Sequence, residues 1–364
     1  MHDSSLTQPR ALAAWADLVV VGISHRQAGV EIREQLALSE KQIPEALERL
    51  CRDGGLSGLV ILSTCNRMEC YASAADAEAA ERFLRAFYVD RCANSDRHLF
   101  AHRGPEAARH LFRVASGLDS IVVGERQIAG QVKTAYQQAQ AAGRTDKLLN
   151  KAFQSALGAG KAVRTRTTIA DGISSCGGAA VAMAETVLPR ETQGRRIMLV
   201  GAGKMAEAAA QHLLERSGTE LTIANRDVAH ALTLAAQYGA RAVSLDEGML
   251  AIHTMDVIIV STGCPHYLVT QDRLADLTAR RGGRPLVIID LGVPRNVDPA
   301  VGDMPGVFLY NIDDLEAVIA ETLSRRHGEI QAAERIIDTL LADFCSAMAT
   351  EPAPRKAPVP AGTC

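Results

Sequence analysis

The chain has 364 residues, of which 47% are hydrophobic and 22% charged, and its formal net charge at pH 7 is −3. This balance is typical of a globular protein. It excludes global disorder and a global attraction to polyanions, although a local basic patch remains compatible with nucleic acid. The length predicts two or three domains, and no segment reaches the ~18 uninterrupted apolar residues of a membrane helix, so no membrane contact is expected.

The N-terminal segment lacks a basic n-region before its first apolar run, which indicates a cytoplasmic protein without a leader. The eight cysteines include no CxxC pair and no Cys/His cluster with zinc-finger spacing. Reduced thiols are therefore expected. Ligation of a metal by Cys65, Cys70 and a distant histidine is an alternative, but we predict no metal site.

Short apolar runs in the first part of the chain predict three strands, at 17–24, 59–64 and 69–73. A helical pattern over Ser39–Cys51 lies between the first two strands, with Ser39 as the predicted N-cap. This region is expected to mix strands and helices out to about residue 100.

The stretch from Glu106 to Arg166 has helical spacing. Glycines predict its breaks, at Gly117, Gly143 and the pair Gly158 and Gly160. Together with the preceding strands, this stretch predicts an α/β domain over residues 17–165.

The run VILSTCNRMECY at 60–71 places Cys65 at the end of a predicted buried strand, two residues before Arg67. A free thiol titrates near ~8.5, and a neighbouring cation favours the nucleophilic thiolate. Cys65 is therefore a candidate nucleophile. The alternative is a small buried hydrophobic residue, which is the usual role of a free cysteine.

A second pattern covers about 195–310, where apolar strands alternate with helical segments: RRIMLV, ELTIA, DVIIVS, LVIID and GVFLY. Such repeated units predict a parallel sheet covered on both faces. A GxGxxA motif directly follows the first strand and opens a helix, as in domains that bind a dinucleotide pyrophosphate at a helix N-terminus. The predicted cofactor-binding residues of this motif are Gly201, Ala202, Gly203, Lys204, Met205 and Ala206.

The cofactor can be specified from the end of the second strand, where Asn225 and Arg226 stand. NAD-binding domains usually carry an acidic residue here for the ribose hydroxyls, whereas an arginine suits a 2′-phosphate. We therefore predict NADPH rather than NADH. The alternative is that Arg226 is a solvated turn residue.

The predicted nucleotide-binding domain spans 175–312 and is followed by a long amphipathic helix over 313–348. The apolar positions of this helix are Leu315, Val318, Ile319, Ile330, Ile337, Leu340, Leu341 and Phe344. The Pro- and Ala-rich segment 349–364 is expected to be disordered. A cysteine nucleophile and a nicotinamide domain in one chain predict a thioester that hydride reduces to an aldehyde.

Several runs carry a close resemblance to the glutamyl-tRNA reductase family, in the family's order and spacing over residues 17–345. They are GISHRQAGVEIREQLALSE at 22–40, ILSTCNRMECY at 61–71, HLFRVASGLDSIVVGERQIAGQVKTAY at 110–136, GAGKMAE at 201–207 and IDLGVPRNVDP at 289–299. The resemblance implies reduction of glutamyl-tRNA(Glu) to glutamate-1-semialdehyde, the first step of a route to 5-aminolevulinate and tetrapyrroles. It also makes hand-over of the aldehyde to an aminomutase a reasonable expectation.

The resemblance assigns roles to particular positions. It implies that Cys65 is the nucleophile and that His110 is a functionally important histidine, which we interpret as a general acid/base. The implied substrate-binding residues are Thr64, Asn66, Arg67, Ser120, Glu125, Arg126, Gln127 and Gln131. We interpret Arg67 as a bidentate fork for the substrate carboxylate. Without the resemblance, His110 fits a surface histidine or a core histidine whose ring is hydrogen-bonded. Likewise, Glu125, Gln127 and Gln131 then fit a helix face exposed to solvent.

A basic run on the helical stretch is the candidate contact for tRNA phosphates: Lys147, Lys151, Lys161, Arg164 and Arg166. The alternative is a solvated charged face.

The chain also departs from the family pattern, because Arg126 and Ala129 replace a proline and a leucine, and 174–178 is richer in glycine. The family's C-terminal dimerisation domain is expected to be mostly missing, which leaves a homodimer open.

Two other functions remain open at this point. One is a catalytically weak paralogue that binds glutamyl-tRNA or partner enzymes and regulates aminolevulinate supply. The other is an ordinary NADP-linked oxidoreductase of the shikimate dehydrogenase type, which leaves residues 17–136 without a role.

Overall fold

A computed structural model describes residues 18–170, 176–187, 195–214, 219–315 and 327–349. It contains two sheets, each with its own apolar core. The predicted α/β class with a Rossmann-type parallel sheet is confirmed.

The first sheet is antiparallel, with strand order β2-β3-β1-β4. Its strands are β1 (Leu18–Ser24), β2 (Gly58–Ser63), β3 (Arg67–Ser73) and β4 (Phe100–Arg103). Every residue of β1 and β3 is buried, since both strands lie inside the sheet and are covered by helices. The surrounding helices are α1 (Val30–Leu36), α2 (Ile43–Asp53), α3 (Ala77–Arg91), α4 (Gly104–Ala115), α5 (Gln127–Ala141) and α6 (Lys147–Arg166).

Two details of the predicted helices were wrong. Ser39 is not an N-cap: α2 begins at Ile43, and Ser39 instead belongs to a preceding turn in which its hydroxyl donates to Gln42 Oε1 at 2.8 Å. The pair Gly158 and Gly160 does not break a helix, since α6 is continuous. Gly160 allows a close approach of helices, because a Cβ there would collide with the carbonyl of Ala115 on α4.

The second sheet is parallel, with strand order β10-β9-β8-β5-β6-β7. Its strands are β5 (Arg196–Val200), β6 (Glu220–Asn225), β7 (Arg241–Ser244), β8 (Val257–Val260), β9 (Leu286–Asp290) and β10 (Val307–Asn311). Sequence reasoning missed β7, a four-residue edge strand with a single buried residue. The helices of this region are α7 (Cys176–Val187), α8 (Lys204–Leu214), α9 (Val228–Tyr238), α10 (Leu245–Ala251) and α11 (Gln271–Ala279).

Alternate residues of the central parallel strands face two different apolar clusters. Ile197 and Leu199 join the cluster formed with α7, α8 and α9, whereas Met198 and Val200 join the cluster on the opposite face. This period of two is what a sheet covered on both faces requires. The carboxyl ends of these strands are the edge at which open parallel sheets bind ligands.

The last described helix, α12 (His327–Ala349), covers part of the predicted 313–348 helix. Residues 316–326, which carry Val318 and Ile319, and residues 350–364 of the predicted disordered tail lie outside the described residues. Ala349, the first residue of that predicted tail, is the last residue of α12, and 312–314 form a turn. Ala333, Ile337, Phe344 and Met348 of α12 belong to the core of the first sheet's domain. The apolar face of α12 is therefore covered within the chain, and it supplies no argument for self-association.

Candidate active site

Cys65 lies in the tight loop that joins β2 to β3, between the paired residues Ser63 and Met68. The loop is closed by the Thr64 N–H, which donates to the Arg67 carbonyl at 2.8 Å. Thr64 Oγ1 accepts the N–H groups of Asn66 and Arg67, each at 3.2 Å. A threonine hydroxyl that satisfies two turn amides fixes the backbone on both sides of the cysteine.

The surroundings of Cys65 differ from the predicted thiolate-favouring site. Its side chain packs against the apolar cluster of the parallel sheet. Burial, followed by the charge of Glu125, raises the pKa of the thiol to about 12, and the opposing effects of Arg33 and Arg67 are smaller. The expectation that a neighbouring cation would lower this pKa below its usual value was wrong, because desolvation of the charged form dominates.

Arg67 is 1% exposed and already has acidic partners. Its Nη1 lies 2.6 Å from Glu69 Oε1 and 3.1 Å from Asp119 Oδ2, and its Nη2 donates to the Asp119 carbonyl. The interpretation of Arg67 as an open bidentate fork for a substrate carboxylate was therefore wrong, since both terminal nitrogens are engaged. Its Nε is buried and has no hydrogen-bond partner among the described residues.

His110 belongs to the same buried network through Glu69. Its Nε2 lies 3.1 Å from Glu69 Oε1, and the Tyr71 hydroxyl donates to Glu69 Oε2 at 2.6 Å. Burial alone would raise the pKa of Glu69, but Arg67 and His110 lower it to about 2. Because this carboxylate only accepts, the facing His110 Nε2 must carry a hydrogen, and Nδ1 is the ring nitrogen that remains to accept a proton.

The remaining predicted substrate residues lie between α4 and α5 or on α5 itself. Ser120 and Glu125 are buried, whereas Gln127 and Gln131 are partly exposed one turn apart on α5. Burial raises the pKa of Glu125 to about 7, against the lowering effect of Arg67. Gln127 Nε2 donates to the Lys204 carbonyl at 3.2 Å, so this helix reaches the predicted cofactor loop.

Arg126, where the family pattern has a proline, is exposed and precedes the first residue of α5. Its φ of −76° lies within the range that a proline ring imposes. The substitution therefore keeps the backbone geometry at the start of α5 while it adds a positive charge beside the site.

Sequence reasoning missed three residues of this region. Asp119 accepts from Arg26 Nε at 2.8 Å as well as from Arg67. The His25 N–H donates to the Asn66 carbonyl at 2.9 Å, and burial, assisted by Arg67, lowers the pKa of its ring to about 4. Arg33 contacts the Cys65 carbonyl. All three lie in or beside the runs that resemble the family, but only contacts distant in sequence reveal their roles.

The glycine motif lies where the sequence predicts it, between β5 and α8. Gly201 has a φ of +108°, and a Cβ there would collide with the carbonyl of Ser261, the residue that directly follows the neighbouring strand β8. Gly203 is exposed with open space around it, and Lys204 begins α8. Ala202 and Met205 are partly exposed and Ala206 is buried. This loop has the backbone access that a dinucleotide pyrophosphate needs.

At the end of β6, Asn225 Nδ2 donates to the Asp227 carbonyl at 2.9 Å, and Arg226 is exposed. At the neighbouring strand ends lies a buried polar network that sequence reasoning did not single out. Asn296 Oδ1 accepts from the N–H and hydroxyl of Thr262, and Asp290 accepts three N–H groups. Burial nevertheless raises the pKa of Asp290 to about 6.

The described part of the chain also bears on two other kinds of site. No helix there is long and apolar enough to cross a membrane. No group of three or more His, Cys, Asp or Glu side chains in the described ranges has the arrangement of a metal site.

Comparison with known proteins gives consistent matches. The model of the glutamyl-tRNAGlu reductase N-terminal domain matches residues 21–167, and that of shikimate / quinate 5-dehydrogenase matches 182–318. The chain is 42% identical to a glutamyl-tRNA reductase of Desulforudis audaxviator over 335 residues, 91% of this chain and 75% of the relative. It is 42% identical to that of Moorella thermoacetica over 324 residues, 88% of this chain and 74% of the relative.

Among solved structures, the glutamyl-tRNA reductase from Methanopyrus kandleri matches with a TM-score of 0.50 and 36% identity. The match covers 92% of this chain and 80% of that one.

Proposed function

The chain belongs to the glutamyl-tRNA reductase family, and on that premise we propose that it reduces glutamyl-tRNA(Glu) to glutamate-1-semialdehyde with NADPH, through a thioester on Cys65. The membership itself makes it an oxidoreductase of the first step of tetrapyrrole synthesis. The thioester, the choice of NADPH and the roles of individual residues are our proposal. We assign 17–165 to substrate binding, 175–312 to the cofactor and 313–348 to the C-terminal helix.

One observation carries the proposal, and it concerns two buried polar atoms in the residues that directly follow Cys65. Asn66 Oδ1 and Arg67 Nε have no hydrogen-bond partner among the described residues. Buried polar groups in folded proteins are almost always paired, and an exception calls for a ligand or an ordered water. An acceptor and a charged donor next to a thiol match the α-ammonium and carboxylate of a glutamyl group. Arg67 then binds substrate through Nε rather than through a terminal fork.

The first chemical step needs a base, because a thiol with a pKa of about 12 is protonated at neutral pH. Cys65 attacks the ester carbonyl, its proton passes to the base, and the terminal ribose oxygen leaves as a hydroxyl. His110 Nδ1 is the base we propose, with Glu69 holding Nε2–H. Glu125 is the other candidate, since it interacts electrostatically with Cys65 and its pKa is about 7.

The second step is reduction of the thioester. A nicotinamide cofactor supplies hydride when it is bound, and the Gly201–Ala206 loop and Arg226 are the residues that would hold its pyrophosphate and 2′-phosphate. The Gln127 contact with the Lys204 carbonyl links this loop to the substrate side. The matched family model over 182–318 supports a nucleotide cofactor in this half of the chain.

The predicted tRNA contact lies on α6, which carries all five basic residues of the cluster. Lys161 and Arg166 are exposed, whereas Arg164 Nη1 donates to the Ala115 carbonyl at 3.3 Å and is partly buried. Lys161 is thus a better candidate for a phosphate contact than Arg164. Charge reversal at Lys161 should flatten the salt dependence of tRNA binding by about one phosphate contact.

The test of the proposed function is NADPH oxidation by the purified protein with glutamyl-tRNA, free glutamate or glutaminyl-tRNA. Oxidation with glutamyl-tRNA alone, with semialdehyde as product, is the expected result. Cys65→Ser should abolish turnover while NADPH binding persists, and Cys264→Ser, which changes another partly exposed cysteine, should remain active. Turnover by Cys65→Ser would refute the thioester. If none of the three substrates causes NADPH oxidation and glutamyl-tRNA nevertheless binds tightly, the result would instead support the regulatory function.

A further inference from the structure

Arg33 connects three separate segments of the chain from a buried position. The residue is 2% exposed and lies on α1. Its Nη1 donates to the Ala28 carbonyl at 2.8 Å, and its Nε donates to the Cys65 carbonyl at 3.3 Å. Its Nη2 lies 2.8 Å from Asp313 Oδ1. One rigid guanidinium therefore contacts both the loop of the proposed nucleophile and a residue 280 positions away.

Asp313 belongs to the turn that directly follows β10, the last strand of the parallel sheet. Its N–H donates to Asn311 Oδ1 at 2.8 Å, which fixes it against the end of that strand. Its Oδ2 accepts the Val30 N–H at 2.9 Å. The carboxylate thus joins the cofactor half of the chain to α1, and Arg33 carries the connection on to the Cys65 backbone.

We propose that Arg33 and Asp313 are positioning residues that hold the Cys65 loop in a fixed position relative to the nucleotide-binding domain. The proposal rests on the proposed function, because it assumes that a thioester on Cys65 receives hydride from a cofactor in that domain. Hydride transfer requires the two reacting carbons in contact, and a misplacement of about 1 Å costs about 100-fold in rate. Neither residue touches the substrate or the cofactor in this scheme.

A second contact between α1 and the cofactor half of the chain offers a matched control. Arg295, which follows β9, lies with Nη2 2.7 Å and Nε 3.1 Å from the Glu34 carboxylate of α1. Glu34 is the next residue after Arg33, yet this ion pair does not include the Cys65 loop. Glu34→Gln weakens attachment of the two regions without altering the hydrogen bond to the Cys65 carbonyl.

Two variants test the proposal. Asp313→Asn keeps the size of the side chain and an acceptor for the Val30 N–H but removes the charge that orients Arg33. Arg33→Lys keeps the charge and loses the forked geometry. Thioester formation is measured as tRNA release without NADPH in a single turnover, and hydride transfer as NADPH oxidation by the preformed thioester. NADPH affinity and the thermal midpoint are measured alongside.

For Asp313→Asn we expect hydride transfer to fall about 10- to 100-fold relative to thioester formation, with unchanged NADPH affinity. Arg33→Lys should slow both steps, whereas Glu34→Gln should keep the wild-type ratio. A purely structural contact would lower the thermal midpoint without changing the ratio of the two rates. An unchanged ratio in Asp313→Asn, or an equal change in Glu34→Gln, overturns the inference. If the wild type forms no thioester, or Cys65→Ser still turns over, the proposed function itself has failed.

Discussion

Removal of the Glu69 charge should destabilise the protein, because this carboxylate holds the buried network beneath the candidate site. Glu69 is 0% exposed and accepts from Arg67, Tyr71 and His110. Glu69→Gln preserves the size and most of the hydrogen-bonding capacity of the side chain. It leaves the Arg67 guanidinium buried with Asp119 as its remaining acidic partner.

The magnitude follows from two independent routes. The pKa of Glu69 is lowered from 4.5 to about 2. At about 1.4 kcal/mol per pKa unit, this preference for the charged form corresponds to about 3 kcal/mol of stability. Breaking one partner out of a buried ion pair costs about 3–5 kcal/mol in general. Because the folded-state pKa is the lower one, this stability is fully present above about pH 5 and is lost as the pH falls towards 2.

The assay is urea denaturation followed by circular dichroism, at pH 7 and at several lower values. At pH 7 the variant should be less stable than the wild type by about 3 kcal/mol, and the difference should shrink to about 1 kcal/mol near pH 3. Glu81→Gln is the control, since Glu81 pairs with Arg85 and the half-exposed Arg103 and should cost at most about 1 kcal/mol. A difference below 1 kcal/mol at pH 7, or one that stays constant down to pH 3, would refute the reasoning.

Three further predictions concern the thiol, the cofactor and the helix packing. Glu125→Gln should lower the pKa of Cys65 and speed its alkylation by iodoacetamide at pH 9; an unchanged or slower rate contradicts the assigned charge effect. Arg226→Glu should reduce the preference for NADPH over NADH about tenfold or more in kcat/KM, and an unaltered ratio would make Arg226 a solvated turn residue. Gly160→Ala should lower the free energy of unfolding by about 1–3 kcal/mol. Gly158→Ala, in open space on the same helix, should be neutral or stabilising by up to about 1 kcal/mol. Equal effects of the two substitutions would contradict the close packing assigned to Gly160.

Much of the fold could be predicted because its signals are local. Apolar runs and the glycine motif located the main strands and the α/β repeat, and the strand before Cys65 ends within one residue of its predicted end. β7 was missed because it is short and half-exposed, and Gly160 was misjudged because its role depends on another helix. A glycine that permits close packing and one that ends a helix look alike in sequence.

The candidate site was less predictable, because the state of each group depends on partners distant in sequence. Arg67 was expected to present an open fork, but Asp119, 52 residues away, occupies it together with Glu69. The thiol of Cys65 was expected to be acidified by a cation, yet desolvation dominates. Net electrostatic effects of this kind are sums over burial and several charges, and no short motif encodes such a sum.

The attachment of α12 to α4 has a consequence for synthesis of the chain. Arg109 pairs with Glu334, 225 residues later, and the apolar side chains of α12 complete the core of the first sheet's domain. A ribosome adding about 5–20 residues per second needs about 10–45 s to cover that interval. During this time the nascent first domain exposes the apolar face that α12 later covers. Its folding is therefore completed only after the cofactor domain has emerged, and chaperone occupancy should be greatest in that interval.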